Sequence, residues 1–373
     1  MENSSETLRE HAKEAAFVHP ESRRGRGAVT NRAGRYEKER LNSADDGWDG
    51  LDAEPEVLRT QVMRDSTRSI LARNKSPDIP FDRSINPYRG CEHGCVYCFA
   101  RPTHAFLGLS AGLDFETKIF VKPDAADLLE NELRKPGYRP CVIAMGTNTD
   151  PYQPLEKERK ITRSVLKVLA RFQHPVAIVT KSNLVTRDLD ILAPMAEKGL
   201  AKVALSVTTL DHRLARSMEP RASAPGRRLE AMRQLKAAGV PAGVMFAPAI
   251  PGLNDHEMEA VLEAASDAGA DEAGYIVLRL PLEVKDLFQE WLTENAPNRA
   301  GRIMGLIRSM NDGRDYHPAW GSRQMGRGPY ADVLSKRFTL AVRRLRLNAR
   351  SHALSTAKFR VPSDKRSAQL DFF

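Results

Sequence analysis

The sequence predicts an α/β fold built on a parallel sheet, either open or curled into a barrel. Between about Ser76 and Pro281, short β-branched runs alternate with longer amphipathic ones about six times. Gly199, Gly239 and Gly269 stand where helix C-termini need a left-handed residue. No run of about 18 apolar residues occurs, so no membrane-spanning helix is expected.

The first strand is expected just ahead of Cys91. The others cover Cys141–Met145, Val176–Lys181, Val203–Val207, Gly243–Ala247 and Gly274–Leu278, each a short run rich in Val, Ile, Leu or Ala. Between them, Ala125–Arg134, Lys157–Phe172, Leu189–Lys198, Arg227–Ala238 and His256–Ala268 repeat apolar residues at helical spacing. In a sheet of this kind function collects at the C-terminal strand ends. No glycine-rich phosphate loop is present.

Residues 1–62 read as a mostly disordered extension, rich in Ser, Gly, Asn and mixed charge, as in Ser22-Arg23-Arg24-Gly25-Arg26-Gly27. Residues 63–320 form the expected core, and 321–373 a basic C-terminal extension. The acidic start lacks an apolar h-region, and four cysteines in 373 residues make no disulfide scaffold. A cytoplasmic, reducing setting is therefore expected. The chain carries 57 Lys and Arg against 48 Asp and Glu, a net charge of +9. Residues 321–373 alone hold 12 Lys and Arg against three Asp. There Lys336, Arg337, Arg343, Arg344, Arg346 and Arg350 fall in a segment of helical composition, either a face for phosphates or a solvated basic helix.

The strongest local signal is Cys91-Glu92-His93-Gly94-Cys95-Val96-Tyr97-Cys98. Three thiolates on one short loop can converge on a single inorganic centre. A structural zinc site wants four closed ligands, and His93 or His104 would complete one. A [4Fe–4S] cluster on three cysteines keeps one iron open. Cys141, at the start of an expected buried strand, reads as a small core residue.

The Cx3Cx2C loop, with an aromatic residue before its last cysteine and just after the first strand, resembles the radical SAM superfamily. The resemblance is closest to the spore photoproduct lyase-like branch and its uncharacterised bacterial members. It covers about Asn86 to Tyr330 and includes Asn86-Pro87-Tyr88-Arg89-Gly90-Cys91, Thr149-Asp150-Pro151-Tyr152, Val179-Thr180-Lys181, Leu205-Ser206-Val207, Glu219-Pro220-Arg221, Ala247-Pro248, Trp320-Gly321 and Gly326-Arg327-Gly328-Pro329-Tyr330.

The resemblance implies a partial (β/α)6 TIM-like barrel. It also implies a [4Fe–4S] cluster on Cys91, Cys95 and Cys98, S-adenosyl-L-methionine (SAM) on the open iron, and an electron donor such as flavodoxin or ferredoxin. One electron would cleave SAM to a 5′-deoxyadenosyl radical, with the protein orienting the cofactors and excluding water.

Further roles follow from matching positions. Tyr97 would stack near the adenine or fill the loop's core. Gly146, Thr147, Thr149 and Asp150 would receive the methionine amino group. Lys181 would pair with the carboxylate, and Ser206 would reach the ribose hydroxyls or the carboxylate. Glu219 and Arg221, with Arg227 and Arg228 close behind, would form a charged rim, and Ala247 would offer backbone contacts to adenine. Tyr330 is the catalytic candidate, as a radical relay. One departure stands out: where the lyases place a hydrogen-donating cysteine, this chain has Gly146 or Thr147.

The last five residues, Gln369, Leu370, Asp371, Phe372 and Phe373, resemble the bacterial sliding-clamp-binding pentapeptide, in which apolar anchors drop into a preformed groove. Three functions remain open on this reading. The first is a radical SAM enzyme acting on DNA, in lesion repair or base modification; the second is one modifying a protein or small molecule. The third is a zinc-stabilised nucleic-acid-binding protein.

Overall fold

The computed structural model describes residues 17–36 and 57–363. Its main sheet runs in the order β10-β9-β8-β7-β6-β3-β2. The strands are β2 (Leu71–Arg73), β3 (Arg83–Ile85), β6 (Ile143–Met145), β7 (Val176–Thr180), β8 (Ala201–Ser206), β9 (Ala242–Ala249) and β10 (Glu272–Val277). All neighbours are parallel except β2 with β3, so β3 and β6–β10 make six parallel strands. Met145 lies beside Ile178, Ile178 beside Val203 and Leu205 beside Val244, and these fully buried side chains line the core.

The intervening helices are α1 (Ala125–Leu133), α2 (Ile161–Arg171), α3 (Leu189–Glu197), α4 (His212–Met218), α5 (Pro225–Ala237) and α6 (Met258–Asp267). Gly199, Gly239 and Gly269 follow α3, α5 and α6 with φ of +68°, +74° and +92°. They stop the helices as the sequence indicated, because a Cβ is disfavoured in that region. Three later helices, α7 (Glu283–Asn295), α8 (Pro297–Ser309) and α9 (Pro329–Arg344), pack outside this repeat.

The sheet must curl, because one loop touches both of its edges. Val277 N donates to Gln324 O at the end of β10. Three residues earlier, Gly321 N donates to Asp78 Oδ1 at 2.6 Å, in the connection between β2 and β3. Such a short segment spans only about 10 Å.

A second sheet stands beside the first: β1 (Gln61–Arg64) parallel to β5 (Lys118–Val121), and β5 antiparallel to β4 (Tyr88–Arg89). It anchors the chain on both sides of the cysteine loop.

Part of the expected N-terminal extension is packed. In residues 17–36, Ala28 and Val29 are buried, Gly27 N and Ala28 N donate to the Glu116 carboxylate at 2.8 and 2.9 Å, and Arg23 pairs with Glu294. A polar composition concealed this, because backbone N–H groups meet a buried carboxylate there. The clamp-like residues 369–373 lie outside the described residues, as do 1–16 and 37–56. Among the described residues, no helix is long and apolar enough to cross a membrane.

The foot of the barrel, at the N-terminal strand ends, contains a buried histidine. His174 Nδ1 meets Pro175 O at 3.0 Å, so Nε2 accepts from the Tyr138 hydroxyl at 2.9 Å. Phe359 packs on both rings. Burial pushes the His174 imidazole down to about 4, against the pull of the Pro175 bond. In the unfolded chain the ring titrates at about 6.5, so acid protonates the unfolded state first. The stability from neutral His174 should be complete above about pH 6.5 and decline by about 3 kcal/mol as pH falls toward about 4. Urea unfolding across this range should be measurably flatter for His174→Gln. Parallel curves for the two proteins would refute the assignment.

Candidate functional site

The site begins at a loop that sits still because others hold it. Cys91 N donates to Phe115 O at 2.9 Å, Glu92 N to Gln153 Oε1 at 2.9 Å and Val96 N to Met218 O at 3.1 Å. Gly94 turns with φ +67°, where a Cβ would lie 2.6 Å from Glu116 Oε2. Behind the loop Arg101 donates to Cys95 O, Gly94 O, Ala111 O and Gly112 O and pairs with Glu116. Both side chains are fully buried.

Cys91 and Cys95 are buried and Cys98 nearly so, and all three thiols are free. Burial pushes all three thiols above their ordinary range. Three free thiolate donors on one short, largely buried loop fit an iron–sulfur cluster.

Among the described residues, no three His, Cys, Asp or Glu side chains converge as the ligands of one metal ion would. A polynuclear cluster, with each cysteine on a different iron, spreads its ligands more widely. The histidines proposed for a fourth zinc ligand are engaged elsewhere. His93 Nδ1 lies 3.4 Å from Asp150, and His104 Nε2 lies 3.0 Å from Lys118 O.

In front of the loop, at the C-terminal ends of β7, β8 and β9, the structure brings together five of the expected residues: Tyr97, Lys181, Ser206, Glu219 and Ala247. Lys181 Nζ reaches Ser206 Oγ at 2.8 Å, Thr208 Oγ1 at 2.9 Å, Glu219 at 3.0 Å and Ala247 O at 3.1 Å, and lies 5.6 Å from the Tyr97 ring centroid. Ser206 Oγ donates to Ala247 O at 3.0 Å. The Glu219 carboxylate accepts from the Tyr97 and Thr208 hydroxyls and pairs with fully buried Arg228. Burial alone would raise its pKa, but Arg228 and Lys181 hold it well below the carboxylate range.

Arg228 is thus an internal counter-ion, whereas Arg227 is exposed. Thr208 is a member the sequence reading missed; its place two residues past β8, next to Ser206 at the strand end, was the available signal.

The loop after β6 differs in detail from expectation. Gly146, at φ +87°, has room for no Cβ, which would sit 1.8 Å from Val179 O. Gly146 and Thr147 remain half-exposed, with Thr147 Oγ1 3.4 Å from Asn86 Oδ1. Thr149 and Asp150 are spent inside the protein. Thr149 Oγ1 donates to Tyr88 O at 3.0 Å. Asp150 accepts from Thr180 Oγ1 at 2.6 Å, Lys181 N at 2.7 Å and Tyr152 N at 2.8 Å. Burial raises its pKa, yet the His93 contact and these bonds bring it below the usual range. Asp150 therefore fixes the ends of β6 and β7 relative to the loop.

Arg221 sits on the rim, 3.1 Å from Glu92, with Thr60 joining the pair. Tyr330 stands apart: its hydroxyl donates to Asp255 Oδ2 at 2.5 Å, where α9 docks beside α6. Burial and Asp255 push the phenol up to about 12. No hydrogen bond links Tyr330 to the Lys181 group among the described residues. Cys141 lies at the foot of β6, half-buried and before the strand rather than within it, at the end opposite the loop.

Comparison places this architecture among known proteins. Residues 85–265 match the family described as the radical SAM superfamily. An uncharacterised protein of Mycobacterium tuberculosis is 37% identical over 242 residues, 64% of this chain and 71% of the relative. An uncharacterised protein of Methanocaldococcus jannaschii is 30% identical over 173 residues, covering 46% and 62% of the two chains. Among solved structures, a spore photoproduct lyase variant with bound S-adenosylmethionine and dinucleoside spore photoproduct has a similar fold. Its TM-score is 0.53 at 16% identity, over 76% of this chain and 78% of that one.

Glu116→Ala would strand buried, charged Arg101 behind the loop. The expected loss is about 3–5 kcal/mol of unfolding free energy, readable by urea denaturation of the full chain. A loss under about 1 kcal/mol would mean that Glu116 does not anchor the loop.

Proposed function

Since this chain belongs to the radical SAM superfamily and is an enzyme, we propose that Cys91, Cys95 and Cys98 hold a [4Fe–4S] cluster that cleaves SAM, and that its substrate is DNA, in lesion repair or base modification. The observation that carries the reading is the placement of three free thiols, those of buried Cys91 and Cys95 and half-buried Cys98, beside the Lys181–Ser206–Thr208–Glu219 group at the strand ends.

The cluster and SAM together supply a one-electron carbon–sulfur cleavage whose product takes a hydrogen atom from the substrate. The chain's own residues bind, orient and seal. Lys181 supplies a cation for a carboxylate, and its present partners Ser206 and Thr208 are hydroxyls able to exchange donors with an entering ligand. Glu219, locked by Arg228, keeps Lys181 and the Tyr97 hydroxyl oriented, so little reorganisation is needed on binding. Tyr97, Val96 and Cys95, all buried, exclude water from the loop's inner side.

The DNA reading is supported by the net charge of +9 and by the mouth of the barrel. Arg279, just past β10, stacks 4.5 Å from the centroid of Phe99, the residue after Cys98, and Trp320 is 61% exposed on the loop that joins the sheet edges. Exposed aromatic rings beside arginine suit unstacked bases. The neighbouring lyase's bound dinucleoside photoproduct points the same way. The thiol route of the lyases is not part of the proposal, since Cys141 lies at the wrong end of the barrel.

Anaerobically reconstituted protein should release 5′-deoxyadenosine from SAM, faster with UV-damaged DNA, and Cys98→Ala should release none. Release indifferent to DNA would move the substrate toward a protein or small molecule. Absence of release from an intact cluster would overturn the reaction. Lys181→Met should keep the cluster's absorbance yet weaken SAM binding about ten- to a hundredfold, the worth of one charge-assisted hydrogen bond. Unchanged affinity by equilibrium dialysis would remove Lys181 from the binding group.

A further inference from the structure

Of the cations in the basic C-terminal segment, Arg343, Arg344, Arg346 and Arg350 lie at the end of the barrel opposite the cysteine loop. Helix α9 runs from mouth to foot. Tyr330, in its first turn, bonds Asp255 in the loop after β9, whereas Asn348, four residues past its end, donates from its backbone to Asp271 O just before β10. The chain then crosses beneath the strands. His352 N bonds Glu272 Oε1 at the start of β10, Ser355 N bonds Gly199 O ahead of β8, and Arg360 N bonds Phe172 O ahead of β7. Pro362 O accepts from Arg134, between α1 and β6.

Along this path Arg343, Arg344, Arg346 and Arg350 are all exposed, and none of their side chains makes a hydrogen bond or ion pair among the described residues. The acids facing them from neighbouring elements already have cationic partners: Glu259 with Arg337, Asp271 with Lys236, and Glu272 with Lys202; Arg344 adds only an electrostatic contact with Glu259. The support is rigid. Arg346 and Asn348 take left-handed φ of 55° and 62°, and the Asn348 amide accepts from Ala273 N at 2.8 Å and donates to Ala273 O at 3.0 Å. In that way it pairs with the edge of β10 as a further strand would. Four exposed guanidinium groups at the end of α9 and on the fixed turn after it suit a row of phosphates, since the planar fork matches two oxygens at once and little freedom is lost on binding.

We propose that this foot surface docks the phosphate backbone of duplex DNA, as a contact separate from the mouth where the reaction occurs. Strands of about six residues put the two ends about 20 Å apart, and duplex DNA is stiff over about 150 base pairs. A duplex seated at the foot therefore leaves the mouth free, so the contact tethers the enzyme to DNA without occupying its substrate opening. It goes beyond the proposed reaction and does not depend on which molecule is the substrate.

The test is fluorescence anisotropy of an undamaged 20-base-pair duplex with the cluster-reconstituted full chain, from about 50 to 200 mM salt. Changing Arg343, Arg344, Arg346 and Arg350 together to Gln should make the slope of log affinity against log salt shallower by about 3–4, about 0.9 per lost phosphate contact. The all-Lys variant should keep most of that slope, and DNA-independent 5′-deoxyadenosine release should stay unchanged in both. An unchanged slope in the Gln variant, equal loss in the Lys variant, or no duplex binding by the natural chain would overturn the proposal. A chain that makes no 5′-deoxyadenosine yet shows the slope difference would instead fault the reaction assignment alone.

Discussion

A loop carrying three cysteines in eight residues cannot hold itself, and two buried carboxylates hold it from opposite sides. Within the loop, the backbone bonds are the long Gly94 N to Cys91 O and Cys98 N to Cys95 O contacts, at 3.3 and 3.2 Å. Glu116 grips it from behind through Arg101 and two amides of the N-terminal segment. Glu219 grips it from the front through Tyr97, while its other bonds fix Lys181, Thr208 and Arg228. Burying such charges gains little stability by itself. It does fix geometry, because each carboxylate is shared by several elements and none can move alone.

That constraint divides the molecule into two ends. At the C-terminal strand ends polar groups converge on the loop, and Asp150 ties β6 to β7 so that Lys181 leaves its strand toward Glu219. At the other end the last described residues run under the sheet, packing Phe359 against Tyr138 and His174 and leaving arginines outward. The polar groups that converge on the cysteine loop and the arginines of residues 343–350 therefore sit at opposite ends.

Most of what positions the site was legible in the chain, because it depends on local pattern. The cysteine spacing, the lysine ending the third core strand and the glycines after α3, α5 and α6 are short-range signals that survived folding unchanged. What escaped is long-range. Nothing near Ala28 announces that its amide meets a carboxylate 88 residues away, and low apolar content there suggested disorder. Arg228 looked like a rim charge until Glu219 was seen to be buried. The resemblance placed Tyr330 near the substrate, but its hydroxyl is committed to Asp255. Composition also revealed the basic tail without its side of the barrel, since that depends on the direction in which α9 runs.

The central claim is that these three cysteines hold a cluster with an iron open to SAM. Electron paramagnetic resonance of the anaerobically reduced, reconstituted protein tests it most directly. The account predicts a reduced [4Fe–4S] signal whose g-values shift when SAM is added, because the cofactor enters the iron's coordination. A signal unmoved by saturating SAM, or a protein that takes up one zinc ion and shows no signal, would contradict it.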